Sequence, residues 1–235
     1  MQTKSEHLAK ETIDNFGAIQ NVFDFRSCIQ YLTIIGSVEG HTVMTPDNKT
    51  TKYENIIPQL IAVEENPQIK GVLVVLNTVG GDVEAGLAIA ELMATLSKPT
   101  VSLVLGGGHS IGIPLATAAQ YSFIAESATM TMHPIRMTGM VIGAEQTYEY
   151  FKKMQERVVR FIVRTSGAKR EVVERLMNAT DNMANDVGTI LYGEEAVEAG
   201  LIHEVGGLRE ALAKLKGMIG EAEMSNFVEG KNLQK

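Results

Sequence analysis

Apolar residues recur along this chain in two patterns. Gly71-Val-Leu-Val-Val-Leu76 and Val101 to Leu105 are short runs that are apolar at nearly every position. Such runs predict strands covered on both faces in a parallel sheet. Between them Val83 to Leu96 places Ala85, Leu87, Ala88, Ile89, Leu92, Met93 and Leu96 at helical spacing, and Pro99 closes the segment. Upstream, Ile29 to Val38 has strand composition, and Tyr53 to Glu65 sets Ile56, Ile57, Leu60, Ile61 and Val63 near one helical face. Downstream, Ile111 to Ala119 continues as a third helix, and Tyr121 to Ala125 and Ala128 to Met132 predict two short strands. Glu145 to Thr165 carries Tyr148, Phe151, Met154, Val158, Phe161 and Ile162 at spacings that predict a long amphipathic helix. Shorter helices follow over Glu171 to Asn178, Gly193 to Gly200 and Leu208 to Met218, and the Asp- and Asn-rich Thr180 to Thr189 predicts irregular backbone.

The order β-α-β-α-β-α predicts an α/β fold, a largely parallel sheet with helices outside. A single domain over residues 26–218 is expected, preceded by a weakly helical arm at 1–25 and followed by a polar tail at 219–235.

Composition narrows the function classes. The chain has 235 residues and a formal charge of −7, with no Lys/Arg cluster, which argues against nucleic acid as a partner. The single cysteine, Cys28, has no metal-spaced Cys or His nearby and fits a reducing, cytoplasmic compartment. The polar start lacks the apolar core of a signal peptide. Val101 to Ala119 is long and uncharged enough to span a bilayer, but its three successive glycines, His, two Ser and Pro favour a buried strand and helix over a membrane span.

Candidate chemistry gathers where strands end. After Val101–Leu105 come Gly106-Gly-Gly-His-Ser110, which predicts a strand, a tight turn and a helix with Ser110 at the apex, although the spacing is not that of the G-x-S-x-G elbow. Glycines after a strand also serve simply to reverse the chain. Gly80-Gly81 ends the preceding strand at the same sheet edge. The backbone N–H groups of Gly81 and Ile111 therefore converge as an expected oxyanion hole. His133 ends a predicted strand and is the candidate general base, with a merely structural histidine as the alternative. His109, next to Ser110 at a tight turn, is expected to point away from the hydroxyl. Asp181 and Asp186 are both open as the third, orienting acid, while most Asp residues in such a segment only cap helices or make turns.

These segments resemble a known family. Asn77-Thr-Val-Gly-Gly-Asp-Val-Glu-Ala-Gly-Leu-Ala-Ile is similar to the N-S-P-G-G-x-V-x-A-G-x-A-I segment of ClpP-type serine peptidases, of the ClpP/crotonase superfamily. Gly108-His-Ser-Ile-Gly resembles their nucleophile segment, Met130-Thr-Met-His-Pro their I-M-I-H-Q-P, and Gly193-Glu-Glu-Ala-Val-Glu-Ala-Gly-Leu-Ile the segment after their catalytic acid. The likeness runs over residues 29 to 215 in the family's order.

The resemblance implies a spiral of βα units with a protruding strand-helix handle over about 138–165. It implies Ser110 as nucleophile, His133 as base, the amides of Gly81 and Ile111 as oxyanion hole, and Asp181 ahead of Asp186 as acid. No metal or organic cofactor is then needed. The expected function is a serine endopeptidase acting on unfolded proteins or short peptides inside a homo-oligomer, a heptameric ring or stacked rings, with a link to protein export or signal-peptide clearance. An ATP-driven unfoldase partner is compatible with the family, but no docking site for one is identifiable.

Four departures stand out: His109 in place of a small residue, Pro134 in place of a polar one, a longer acid segment over Thr180 to Thr189, and an N-terminal arm unlike the family's axial loop. They keep two alternatives in view. One is a crotonase-type acyl-CoA enzyme, which shares the spiral fold and the two-glycine oxyanion hole; the other is a catalytically silent structural subunit of the same fold.

Overall fold

The computed structural model describes residues 27–136, 142–181 and 186–232, with side chains as far as Ser225. The arm at 1–25 and most of the handle strand expected near 138 lie outside the described residues. Strand β1 (Ile29–Glu39) leads through a short β2 (Thr50–Lys52) into helix α1 (Tyr53–Glu65). Strand β3 (Gly71–Gly81), helix α2 (Val83–Thr95), strand β4 (Thr100–Gly108) and helix α3 (Gly112–Thr117) follow. Then come β5 (Tyr121–Ile124), β6 (Thr129–Met132), the long α4 (Ala144–Thr165) and α5 (Arg170–Met177). The chain closes with β7 (Thr189–Tyr192), α6 (Gly193–Glu198), β8 (Glu204–Val205) and α7 (Leu208–Asn232).

The architecture is mixed α/β, a central sheet with helices around it. Among the described residues the main sheet runs β2-β1-β3-β4-β5-β8 with every pair parallel. A side branch adds β6, which touches β4 at the single pair Gly107↔Thr129 and carries β7 antiparallel to it.

Two apolar layers hold the sheet. On one face Leu32, Ile34, Val72, Val74, Leu76 and Val104 join the core shared with the helices α1 to α6. On the other, Ile29, Leu73, Val101, Leu103 and Phe123 pack against Ala211, Leu215 and Ile219 of α7. Alternate strand residues thus reach different helices, which explains the unbroken apolar runs. That second face is only half covered, because Ile35, Val79 and Leu105 continue it toward the carboxyl edge and stay exposed.

Helix α4 is anchored by its second half, where Met154, Val158, Val159, Phe161 and Ile162 are buried. Two ion pairs join it to α2: Arg157 holds both carboxylate oxygens of Glu84 at 2.5 and 2.9 Å, and Arg164 meets Glu91 at 2.6 Å. The Arg157 guanidinium keeps the Glu84 carboxyl below its ordinary pKa. Half-exposed pairs of this kind contribute at most about 1 kcal/mol each, so packing does most of the anchoring.

Three local expectations change. The glycines at 106–108 belong to β4, because neighbouring strands supply hydrogen-bond partners that let it run on past Leu105. Thr189 to Tyr192, at the end of the predicted irregular segment and beyond it, is strand because β6 offers it an edge. Helix α7 continues past Met218 to Asn232, through much of the segment expected as a polar tail. The uncharged stretch Val101 to Ala119 is β4 and α3, and among the described residues no helix is long and apolar enough to cross a membrane.

The half-covered face makes a testable contrast between two leucines with side chains on the same side of the sheet. Leu73→Ala, under α7 and fully buried, should cost about 2–5 kcal/mol in urea unfolding. Leu105→Ala, 45% exposed, should cost under about 1 kcal/mol.

Candidate functional site

Parallel pairing of β3 with β4 opens both strand ends at one sheet edge, where sites form in α/β folds. There β3 ends at Gly80 and Gly81, at φ of +92° and +149°. After β4 the chain turns at Ser110, whose φ of +55° makes it the only non-glycine residue at positive φ among the described residues. The turn is held from three sides. His109 N–H donates to Thr78 O (3.1 Å), Ser110 N–H to Thr131 O (2.8 Å), and Ile113 N–H to Ser110 O (3.0 Å). Gly80 is required by this approach, because a Cβ there would stand 2.6 Å from Ser110 Cβ. Strain maintained at one side chain by surrounding hydrogen bonds marks a candidate site.

Asp82 then caps α2 by accepting from Ala85 N–H at 2.8 Å, so that helix starts directly after Gly81. The result is a cleft of about 310 Å³ that Gly81, Ser110, Ile111 and His133 all line. Val83, Ile113, Met132, Val158, Ile162 and Met177 make the rest mainly apolar, with Arg136 at its polar side. A larger groove of about 590 Å³ between α2 and α4 is crossed by the Glu84–Arg157 and Glu91–Arg164 pairs and holds none of the expected site residues.

His133 is held unlike a triad histidine. Its Nδ1 lies 2.7 Å from the carbonyl oxygen of Pro134. A carbonyl only accepts, so in the neutral ring it is Nδ1 that carries the proton. That is the tautomer a carboxylate would select, but a neutral carbonyl does not offset the charge of an imidazolium. No hydrogen bond joins Ser110 Oγ to His133 among the described residues. Asp181 is exposed and absent from the cleft lining. Asp186 is engaged elsewhere, with Oδ2 at 2.8 Å from Arg136 and Oδ1 accepting from Val187 N–H at 2.8 Å.

Among the described residues of the acid segment, Gly188 lies against His133. Pairing of Met132 with Thr189 brings it there, at φ +134°, and a Cβ on it would come 2.9 Å from His133 Cβ and collide with the Met132 carbonyl. Nothing local in the sequence marked this glycine, because its role depends on β6 and β7 pairing.

His109 behaves as its turn position implies. Its Nδ1 meets Thr131 Oγ1 at 2.9 Å and its ring lies over Gly107, which fastens β4 to the β6 branch. Burial, with a smaller contribution from His133, lowers its pKa, so it stays neutral at pH 7.

The model of the Clp protease family matches residues 31–209 of this chain. The chain belongs to the Clp protease family. Within that family it is 57% identical over 209 residues, 89% of this chain and 81% of the relative, to the translocation-enhancing protein TepA of Halalkalibacterium halodurans. Similarity to relatives named for proteolysis is lower. An ATP-dependent Clp protease proteolytic subunit from Leuconostoc citreum is 26% identical over 59% of this chain and 72% of its own length. The corresponding subunit 1 from Chlamydia muridarum is 26% identical over 56% of this chain and 67% of its own.

These similarities correct the expected serine endopeptidase, and with it the terms hydrolase and protease. The extensive match is to a protein named for translocation, whereas the two relatives named as proteolytic subunits are 26% identical over 59% and 56% of this chain. The physical reason lies in the site: the imidazole that would take the Ser110 proton has a backbone carbonyl where charge stabilisation needs a carboxylate.

The acid segment can be tested by stability. Asp181→Ala and Asp186→Ala should each change unfolding free energy by under about 1 kcal/mol. Gly188→Ala should cost about 1–3 kcal/mol, from its positive φ and the Met132 carbonyl, in the same denaturation assay.

Proposed function

We propose that this Clp-family chain assists protein translocation by holding extended polypeptide in the Ser110 cleft without hydrolysing it. The observation that carries this reading is the seating of His133 on the Pro134 carbonyl, with Asp186 bound to Arg136 and Gly188 at its side. The name of the relative matched over 89% of the chain points the same way. In this reading the amides of Gly81 and Ile111 donate to a carbonyl of the bound segment, and an apolar side chain enters among Val83, Ile113 and Ile162. Recognition through the main chain is tolerant of sequence, which suits a protein acting on many exported chains. The spiral arrangement of βα units, the handle over 138–165, a heptameric or stacked-ring assembly and a cytoplasmic location belong to the same proposal.

The test combines two measurements on the full chain. A fluorophosphonate probe should leave Ser110 unmodified, with Ser110→Ala as the control, and fluorogenic peptides should stay intact. A labelled extended apolar peptide should bind saturably by fluorescence anisotropy, and Val83→Glu should weaken it about tenfold, near 1.4 kcal/mol. Cleavage that depends on Ser110, or no peptide binding by the folded protein, overturns the proposal.

A further inference from the structure

Away from the cleft, the last strand of the main sheet is fastened by a histidine. Strand β8 is short, pairing Phe123↔Glu204 and Ile124↔Val205. Immediately before it, His203 Nδ1 lies 2.7 Å from Ser122 Oγ and receives Ser122 N–H at 3.2 Å, and His203 N–H donates to Ser122 Oγ at 3.1 Å. A backbone N–H only donates. Nδ1 must therefore be bare, with the ring proton on Nε2. Ser122 itself is fully buried in β5.

Each element packed around the imidazole presents a polar or charged group. Tyr121 of β5 stacks on it with centroids 4.4 Å apart, and the Tyr121 hydroxyl donates to Glu204 of β8. From α7, Lys214 Nζ sits 4.0 Å from the centroid of the Tyr121 ring. Glu204, the one carboxylate that favours an imidazolium here, is already engaged by the Tyr121 hydroxyl, whose pKa is pushed up to about 12.

The clasp controls more than two residues of strand. Gly206 N–H donates to Ile124 O at 2.9 Å and Gly207 N–H to Glu210 at 3.0 Å, so β8 runs directly into α7. Helix α7 covers Leu73, Val101, Leu103 and Phe123. We propose that the Ser122–His203 clasp makes the docking of α7 proton-sensitive: protonation at Nδ1 displaces the Ser122 backbone N–H that donates to it, loosens β8, and lets α7 lift from the second face of the sheet. This inference is independent of the translocation reading.

The direction in pH follows from the same contacts. Burial first, and Lys214 second, lower the His203 pKa below its ordinary 6.5. Its stabilisation is therefore complete above the unfolded value and is lost as pH falls through the lower, folded one.

Amide hydrogen exchange on the full chain tests this, compared at about pH 7.5 and about pH 5.5 after correction for intrinsic rates. Segments 204–206 and 208–219 should lose protection at the lower pH, by up to about tenfold. His203→Asn, whose Oδ1 accepts in place of Nδ1 and takes no proton, should keep protection at both. Retained protection in the wild type, or equal loss in both proteins, overturns the proposal. Should the variant not fold, nitrogen-15 NMR of wild-type histidines decides. A bare Nδ1 with a midpoint below 6.5 supports the clasp, and a protonated Nδ1 at neutral pH or a higher midpoint overturns it.

Discussion

Two chain turns meet at the carboxyl edge of the sheet, and the contact between Gly80 and Ser110 sets everything built there. No side chain fits at position 80 while Ser110 holds its place. Ser110 in turn sits at positive φ, at a cost of about 1–2 kcal/mol for an L-residue. Hydrogen bonds from His109, Ser110 and Ile113 N–H, each worth about 1 kcal/mol net, offset it. Because Ser110 N–H donates to Thr131, the same turn also fixes β6, and β6 carries His133. One close approach therefore assembles the cleft from β3, β4 and β6.

A site can retain this frame and lose a function that depends on charge. The frame needs glycines, a strained serine and a strand-end histidine, all of which are backbone and packing requirements. Proton abstraction needs in addition a group that stabilises the resulting imidazolium. At His133 that position is occupied by the Pro134 carbonyl, and the segment that could supply an acid passes with Gly188 against the base of the His133 side chain. Arg136 draws the Asp186 carboxylate to itself and fastens the segment in that course. In the proposed function, family membership and peptidase activity separate at a few atoms, as fold and function do generally.

The opposite side of the sheet follows a different constraint. Helix α7 is the cover of the second apolar face, and it crosses only the first half of β1, β3 and β4. Its entry is set by β8, which pairs through two residues and is fastened beside them by the Ser122–His203 contacts and the Tyr121–Glu204 hydrogen bond. The sheet is therefore firmly held on the face of the cleft and more conditionally held on the other.

Much of this was legible in the residues alone. Tyr53–Glu65 forms the expected helix because its apolar spacing needs nothing beyond one face of the sheet to pack on. Gly81, Ser110, Ile111 and His133 stand out in the sequence because each follows a predicted strand, and parallel strands bring such ends to one edge. What the sequence could not determine depends on partners distant along the chain. Gly106 to Gly108 suggest a turn by composition and become strand because β3 and β6 pair with them. Thr189 to Tyr192 becomes strand for the same reason. The residues alone left Asp181 and Asp186 both open, since both lie in one polar segment, and only the family resemblance put Asp181 ahead. Only the tertiary structure placed one beside an arginine, left the other exposed, and set a glycine against the histidine, because register between β6 and β7 decides which side chain can reach the ring.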